Sequence, residues 1–254
     1  AAHGQAGDAY RAERMTEAQY ALTGTRAFMP WTYPPPYTLA MTVLSYLPVG
    51  VAFVLFTVST FAFYLFVIRR IAGDYLPGVL IAILPTLVLL ARTGQNGFLT
   101  AGLIGLFLLA FQQARTYAGI PLGIMVIKPH LAAGIALLAL LGGRWTAMAV
   151  AAVIVVGALG LSTLVFGTGI WPAFFQGIGE ASGFLAKRMY PLFRMSSVYA
   201  CVSSLGGSPV LAMTVHGVVA AGGIAALLYA WRNGYDPRRL AAIACVTSLL
   251  VSPY

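Results

Sequence analysis

Long apolar runs separated by short polar connections fill most of the chain. The runs cover residues 38–68, 76–91, 97–111, 117–141, 145–166, 209–231 and a last one that starts at 240. Several of them approach or exceed the ~20 residues that a helix needs to cross the hydrocarbon core. None shows the alternation of apolar and polar positions that marks a strand of a membrane barrel. The pattern therefore predicts an all-α, polytopic transmembrane helical bundle, with Pro48 as a kink or break in the first span.

The polar stretches divide the chain into an outer segment and a membrane domain. Residues 1–37 are too polar to cross a membrane, so we predict an outer loop or juxtamembrane segment there. Residues 38–254 form the transmembrane helical domain, which carries an outer loop at 167–208. The chain begins without an initiator methionine or a signal-peptide pattern, and its last apolar run stops after about 15 residues. We therefore expect a fragment that is cut at both ends.

Aromatic residues mark two places at the predicted outer surface. A triple proline, Pro34 to Pro36, is flanked by Trp31, Tyr33 and Tyr37. This segment suits either a stiff anchor at the headgroup level or a wall that faces the substrate. In the outer loop, apolar residues recur at i, i+3, i+4 and i+7, namely Trp171, Phe174, Phe175 and Ile178. That spacing is typical of an interfacial helix.

Two polar interruptions stand out within the apolar runs. Lys128 and His130 flank Pro129 inside the run 117–141, and the segment 92–97 separates two other runs. A charge near membrane depth costs a few kcal/mol, so such residues tend to line a functional cavity. The alternative is that Lys128 extends to a headgroup and His130 caps a broken helix. We favour one polar site built from both interruptions.

The run 117–141 either crosses the membrane once or forms a hairpin broken at Pro129. A single crossing would separate the arginines at the ends of the spans, against the positive-inside rule. A hairpin places seven of them on one side, which would be cytoplasmic: Arg69, Arg70, Arg115, Arg144, Arg232, Arg238 and Arg239. Broken backbone at this depth is tolerated only where protein or a water-filled cavity surrounds it. The hairpin thus predicts a cavity that opens to the outer side.

The composition narrows the chemistry. Hydrophobic residues make up 60% of the chain and charged residues 8%, where soluble domains carry about 25% charged residues. The net charge of +9 is spread over the connections, so it indicates anionic lipid or a phosphorylated lipid substrate and no nucleic acid. The two cysteines have no metal-binding spacing, and no phosphate-binding loop, nucleophile elbow or zinc motif occurs. We expect neither a metal nor a cofactor.

The predicted outer face carries several cations and amides but few carboxylates. Its acidic residues are Asp8, Glu13, Glu17 and Glu180. Fixed cations and amide donors suit the binding of an anionic phosphate leaving group, and a single carboxylate can serve as general base.

Five short motifs, in order and at similar spacing, resemble those of glycosyltransferase family 87. They are Trp31-Thr32-Tyr33-Pro34-Pro35-Pro36, Gly94-Gln95-Asn96-Gly97, Lys128-Pro129-His130-Leu131, Met195-Ser196-Ser197-Val198 and Ser252-Pro253-Tyr254. This family contains polyprenol-phosphate-mannose-dependent mannosyltransferases and relatives with the GT-C fold. The resemblance implies a multi-pass enzyme of the bacterial plasma membrane and cell envelope. It would transfer a hexose, with mannose expected, from a polyprenyl-phosphate donor to a lipid or glycan acceptor on the outer side.

The resemblance also implies roles for individual residues. Arg92, Gln95 and Asn96 would orient the donor phosphate, and Lys128 would compensate its charge. His130 would hydrogen-bond the phosphate or the sugar.

Three further residues complete the expected site. Arg194 and Ser196 would close over it from the outer loop. The expected base is an aspartate just after the first span of the family, which we expect upstream of residue 1. Asp8 is the nearest carboxylate present and is the fallback candidate.

Two other classes of function stay open from the sequence. A transporter or flippase for an anionic lipid-linked sugar also uses broken helices at membrane depth, but the expected inverted repeat is not seen. A non-catalytic membrane subunit is the other alternative. The expected partners in every case include the lipid bilayer.

Overall fold

A computed structural model describes residues 6–24, 28–190, 192 and 195–252. These residues contain helices and connecting turns and no strand, which confirms the all-α fold class. The α-helices are α1 (Ala12–Thr23), α2 (Pro35–Leu44), α3 (Val49–Ala72), α4 (Leu76–Ala82), α5 (Leu84–Thr93), α6 (Gly97–Gln112), α7 (Gly119–Ile124), α8 (Ala133–Leu141), α9 (Trp145–Phe166), α10 (Ile170–Ala186), α11 (Val198–Ser204), α12 (Pro209–Arg232) and α13 (Pro237–Val251). Short 3₁₀ helices lie at Ala6–Tyr10, Gly73–Tyr75, Thr116–Ala118, Met125–Ile127 and Pro129–Ala132.

Three helical stretches of the described residues are long and apolar enough to cross a membrane. They are Val49–Ala82, Trp145–Phe166 and Pro209–Arg232. The first of them turns at Gly73, whose φ of +53° is available to glycine at little cost. Beyond that turn, α4 and α5 lead the chain back until Gly94 lies against Phe53, near the start of α3. The described chain is therefore a polytopic helical bundle.

The predicted first span is two separate helices. α2 ends at Leu44 and α3 begins at Val49, directly after Pro48. Proline has no backbone N–H and fits the start of a helix better than its interior, so the break at this residue confirms the prediction. α2 packs on α9 and on the Met125–Ile127 turn, whereas α3 packs on α6. The two helices thus diverge from a bend at residues 45–48.

Residues 117–141 form a hairpin and do not cross the bundle once. Gly119, at its start, packs against the backbone of Ala147. Gly142, at its end, packs against Phe111, which also lies 5.1 Å from the Arg144 guanidinium. Both ends of the segment therefore lie at the same end of the bundle, and its tip lies at the opposite end, beside the start of α6.

The last helix runs antiparallel to both of its neighbours. Gly134 of α8 packs against Ala244 and Ser248, and Thr247 donates a hydrogen bond of 3.0 Å to the Gly223 carbonyl of α12. Gly105 of α6 packs against Val67 and Ile71 near the end of α3. Together with the hairpin contacts, this packing brings the arginines that end α3, α6, α8 and α12 and start α13 to one end of the bundle.

α13 begins at Pro237, earlier than the apolar run that predicted it. The Asp236 carboxylate accepts hydrogen bonds from the backbone N–H groups of Arg238 and Arg239 and so caps the helix. The Arg239 N–H and its neighbours hold the pKa of this exposed carboxyl below its usual value.

The expected interfacial helix is present as α10, but its predicted apolar face is divided. Trp171 and Phe174 are half-buried against the turn that contains Tyr10. Phe175 and Ile178 stay 64% and 37% exposed. The difference arises because the N-terminal segment folds back over part of α10, which the helical spacing alone does not reveal.

The close packing of α8 on α13 at Gly134 can be tested by adding a side chain there. Gly134→Val should destabilise the protein by about 1–3 kcal/mol, because the added carbons would meet the Ala244 backbone and Ser248. Thermal unfolding in detergent measures the effect. Gly157→Val is the matched control, since a side chain there meets nothing within 4 Å. An equal melting temperature for the two variants would contradict the close packing of α8 on α13.

Candidate active site

A cavity with a volume of about 810 Å³, called the main cavity here, lies at the end of the bundle opposite the arginine-rich end. Its walls come from the end of α1 and the segment 28–33, from α2, from the first half of α3 and from the turn 94–96. Most of these walls are apolar or aromatic, with Met41, Leu44, Val49, Phe53 and Phe56 among them. Residues of both α2 and α3, on either side of the bend, line the cavity. The cavity thus offers an apolar volume next to a membrane-facing bend.

The polar end of the cavity is formed by Asn96, which precedes α6 and lies beside the tip of the hairpin. Asn96 is only 2% exposed, and its Oδ1 accepts a hydrogen bond from Lys128 Nζ at 3.5 Å. The Lys128 ammonium also lies 5.9 Å from the centre of the Tyr33 ring, near the outer limit of a cation–π contact. The two polar interruptions of the sequence therefore meet at one place.

Asn96 stands at the N-cap position of α6, yet its side chain does not cap that helix. Its oxygen is directed to Lys128 instead, so the first backbone N–H groups of α6 receive no bond from a capping side chain. A helix N-terminus with free N–H groups carries partial positive charge and favours anions. The helix terminus and the Lys128 cation thus act on the same space.

Two buried nitrogen atoms belong to the polar residues of these segments. Asn96 Nδ2 faces the Tyr33 and Tyr37 phenols, and His130 Nε2 has no hydrogen-bond partner among the described residues. Lys128 forms no ion pair with any carboxylate in the described part of the chain. Buried polar groups are normally paired, so an unpaired imidazole nitrogen two residues from an uncompensated cation indicates the place of an anionic, hydrogen-bond-accepting ligand.

The structure brings together only some of the residues that the sequence assigned to this site. Gln95 is exposed and lines the cavity beside Asn96. Arg92 is exposed on the last turn of α5 and does not line it. The left-handed Gly94 lies between them and turns the chain, so Arg92 stays on the preceding helix. Ser196 is exposed, and its neighbour Met195 lines the cavity.

Lys128 and His130 do not line the cavity, and Lys128 is joined to it through its contact with Asn96. Arg194 lies outside the described residues. Asp8 lies in a separate hollow of about 340 Å³ together with Tyr10 and Gln176, and its carboxylate is 4.0 Å from the Arg11 guanidinium. No carboxylate is among the described residues that line the main cavity.

Thr38 holds one wall of the cavity in place, which the sequence gave no reason to expect. Its hydroxyl accepts a hydrogen bond of 2.9 Å from the Trp31 indole and shares one of 2.8 Å with the Tyr10 phenol. Burial raises the pKa of Tyr10 to about 12, so this phenol remains a neutral partner. Trp31 stacks on Tyr37 with 5.6 Å between ring centres. The aromatic segment after residue 30 therefore faces the cavity.

The Thr38 contacts can be tested by removing one hydroxyl. Thr38→Val should lower stability by about 1–3 kcal/mol, because the Trp31 and Tyr10 groups would lose their buried partner. Thermal unfolding checks this value. Thr42→Val is the control, since the Thr42 hydroxyl bonds only to the Thr38 carbonyl of its own helix, at 2.8 Å. Equal losses in both variants would show that Thr38 does not join the two segments.

Comparison with known protein families identifies the family of the chain. The family model of glycosyltransferase family 87 matches residues 31–253, which is nearly the whole chain. Searches of curated proteins and of solved structures found no match. The matched region contains most of the residues that line the apolar cavity, the Asn96 turn and the Lys128 hairpin. The chain therefore belongs to glycosyltransferase family 87 and is a membrane glycosyltransferase.

Proposed function

We propose that this protein transfers a hexose, with mannose as the expected sugar, from a polyprenyl-phosphate donor to a lipid or glycan acceptor on the outer side of the membrane. The observation that carries the proposal is the contact of Lys128 with Asn96, which lines the polar end of a large apolar cavity. A donor with a lipid chain and a phosphate has the same two-part character.

The apolar part of the cavity supports binding of the lipid chain. A volume of about 810 Å³ lies within the range of small-molecule sites, which are mostly apolar with a few placed polar groups. Several apolar side chains at the bend are more than half exposed, including Val43, Tyr46 and Val49. An isoprenoid chain that entered between α2 and α3 would cover this apolar surface and leave its remaining length in the bilayer.

The polar end supports binding of the phosphate. Lys128 supplies a positive charge, and α6 supplies a helix N-terminus without a capping side chain. His130 Nε2, which has no partner among the described residues, and the Asn96 amide beside the Tyr33 and Tyr37 phenols suit phosphate or sugar oxygens. Gln95 stands at the cavity wall and would bind the sugar or the phosphate.

The reaction follows from these groups. The acceptor hydroxyl oxygen forms a bond to the anomeric carbon while the bond from that carbon to the phosphate oxygen breaks, and the electron pair leaves with the phosphate. Negative charge therefore grows on the leaving group, where a fixed cation and fixed donors stabilise it most. The hydroxyl proton passes to a general base. No carboxylate is among the described residues that line the main cavity, so we assign the base to none of those residues.

This proposal rests on no cavity contact of Arg92, Arg194 or Ser196. Arg92 is exposed outside the cavity. Ser196 does not line the cavity, although its neighbour Met195 does. Their direct roles toward the donor stay predictions from the resemblance. Asp8 stays the fallback base, at a separate hollow.

The outer position of the site rests on the arginines. Helix contacts bring Arg69, Arg115, Arg144 and Arg232 to the end of the bundle opposite the cavity. Positively charged connections are retained on the cytoplasmic side during insertion. The cavity and α10 are therefore assigned to the outer side of the membrane.

Cysteine labelling tests this orientation. In a Cys201→Ala background, which removes an exposed thiol, Ser182→Cys on α10 should react with a membrane-impermeant maleimide from the outside. Asn233→Cys, exposed after α12, should react only after the membrane is opened. The reverse pattern would place the cavity on the cytoplasmic side.

The role of Lys128 is tested by removing its charge. Lys128→Met should reduce transfer from a polyprenyl-phosphate mannose donor by about 10²–10³-fold, because the leaving phosphate loses its cation. Membrane insertion and melting temperature should be kept or raised, since an apolar side chain costs less at this depth. Transfer is measured with a radiolabelled donor in reconstituted vesicles.

Lys187→Met is the matched control for this experiment. It removes the same charge from an exposed position directly after α10. Its activity should stay within a factor of two of the unmodified protein. Comparable activity of the Lys128 and Lys187 variants would mean that Lys128 only extends to a headgroup.

A further inference from the structure

A second cleft lies beside the main cavity and has no assigned role. It has a volume of about 530 Å³ and is enclosed by α1 on one side and by Phe28 and the end of α10 on the other. Phe28 lines both this cleft and the main cavity. The two spaces are therefore neighbours that share one aromatic side chain.

The α1 wall of the cleft is a row of hydrogen-bonding side chains. Glu13, Thr16, Glu17 and Tyr20 recur at i, i+3, i+4 and i+7, which places them on one face of the helix. Glu17 forms an exposed ion pair with Arg14 at 3.3 Å, whereas Glu13 forms none within the described segments. This wall thus presents two carboxylates, of which one is already partly compensated.

The opposite wall is aromatic. Phe28 and Phe184 meet edge to face, with 5.1 Å between ring centres and an interplanar angle of 87°. Phe28 also lies 5.6 Å from the ring of Tyr190, which lines the main cavity. The rings leave a rigid apolar surface that faces the carboxylates of α1.

This combination matches the chemistry of a sugar ring. A pyranose has an apolar face of C–H groups, which packs on aromatic rings, and an edge of hydroxyl groups. Hydroxyl groups donate to carboxylates in short, charge-assisted hydrogen bonds. The Thr16 hydroxyl donates to the Ala12 carbonyl at 2.8 Å, and its oxygen can accept from a sugar hydroxyl. An ammonium headgroup of a lipid would use the carboxylates and the rings, but Arg14 beside Glu17 would repel it.

We propose that this cleft binds sugar units of the acceptor, with Glu13 and Glu17 accepting from their hydroxyl groups and Phe28 and Phe184 packing on their apolar faces. The proposal rests on the transferase function proposed above, because it makes the cleft the acceptor subsite beside the donor cavity. The shared Phe28 would let an acceptor hydroxyl reach the donor from the cleft. Acceptor choice would then be set by α1 and α10 and not by the Lys128 hairpin.

Saturation-transfer NMR on the protein in lipid nanodiscs tests the cleft without requiring turnover. The probes are mannotriose, maltotriose and chitotriose, and at least one of them should bind the unmodified protein. The double variant Glu13→Gln and Glu17→Gln should weaken that binding by roughly ten-fold, because it removes two charge-assisted bonds. Phe184→Leu should weaken it several-fold, since a branched aliphatic side chain replaces the flat ring.

Two controls separate this proposal from the previous one. Glu180→Gln removes a carboxylate of α10 that bonds to Gln176 at 3.2 Å and does not line the cleft, so binding should be unchanged. Lys128→Met should also leave trisaccharide binding unchanged, whatever it does to transfer. The proposal is overturned if the Glu13 and Glu17 double variant binds a trisaccharide as tightly as the unmodified protein does. It is also overturned if the unmodified protein binds none of the three trisaccharides. A saturation-transfer signal from phosphocholine or phosphoethanolamine, with none from the sugars, would assign the cleft to a lipid headgroup and would also overturn the proposal.

Discussion

The site depends on a positive charge that the protein itself leaves uncompensated. Lys128 stands at the tip of a hairpin. Its ammonium group lies 3.5 Å from the Asn96 amide oxygen and 5.9 Å from the centre of the Tyr33 ring, and no described carboxylate pairs with it. A charge in such surroundings is costly unless something compensates it. The cost makes sense if the missing partner is the substrate, because a resident carboxylate would neutralise the charge that the leaving phosphate requires.

The hairpin that carries this charge is held by close backbone contacts at its glycines. Gly119 and Gly123 pack against α9, and Gly134 packs against α13, at distances that leave no room for a side chain. Gly134 also donates its backbone N–H to the Ser248 hydroxyl at 3.0 Å. In a membrane, small residues permit such packing and thereby replace the hydrophobic driving force that is absent between helices. The short limbs are therefore stable although neither is long enough to cross the bilayer alone.

Much of the fold could be predicted from the sequence, and the site only in part. Apolar runs, the break at Pro48 and the hairpin at Pro129 follow from chain length, proline geometry and the side preference of arginine, which are local or additive properties. The meeting of Asn96 and Lys128 was also predicted, because both polar interruptions had to face the same end. The exposed position of Arg92 was not, since it depends on the direction the chain takes at Gly94. The bond between Tyr10 and Thr38, which are distant in sequence, gave no local signal either.

The distribution of acidic residues links these features. The described carboxylates of residues 1–37 lie on the 3₁₀ turn and α1, where they line separate hollows, and none lines the main cavity. Thr38 and the Trp31–Tyr37 stack fix one aromatic wall of that cavity, and Phe28 lines both the cavity and the α1 cleft. A carboxylate within a few ångströms of Lys128 would cancel its charge and would repel a bound phosphate. The proposed donor and acceptor subsites are electrostatically compatible, because the acids of α1 lie in a cleft apart from the main cavity.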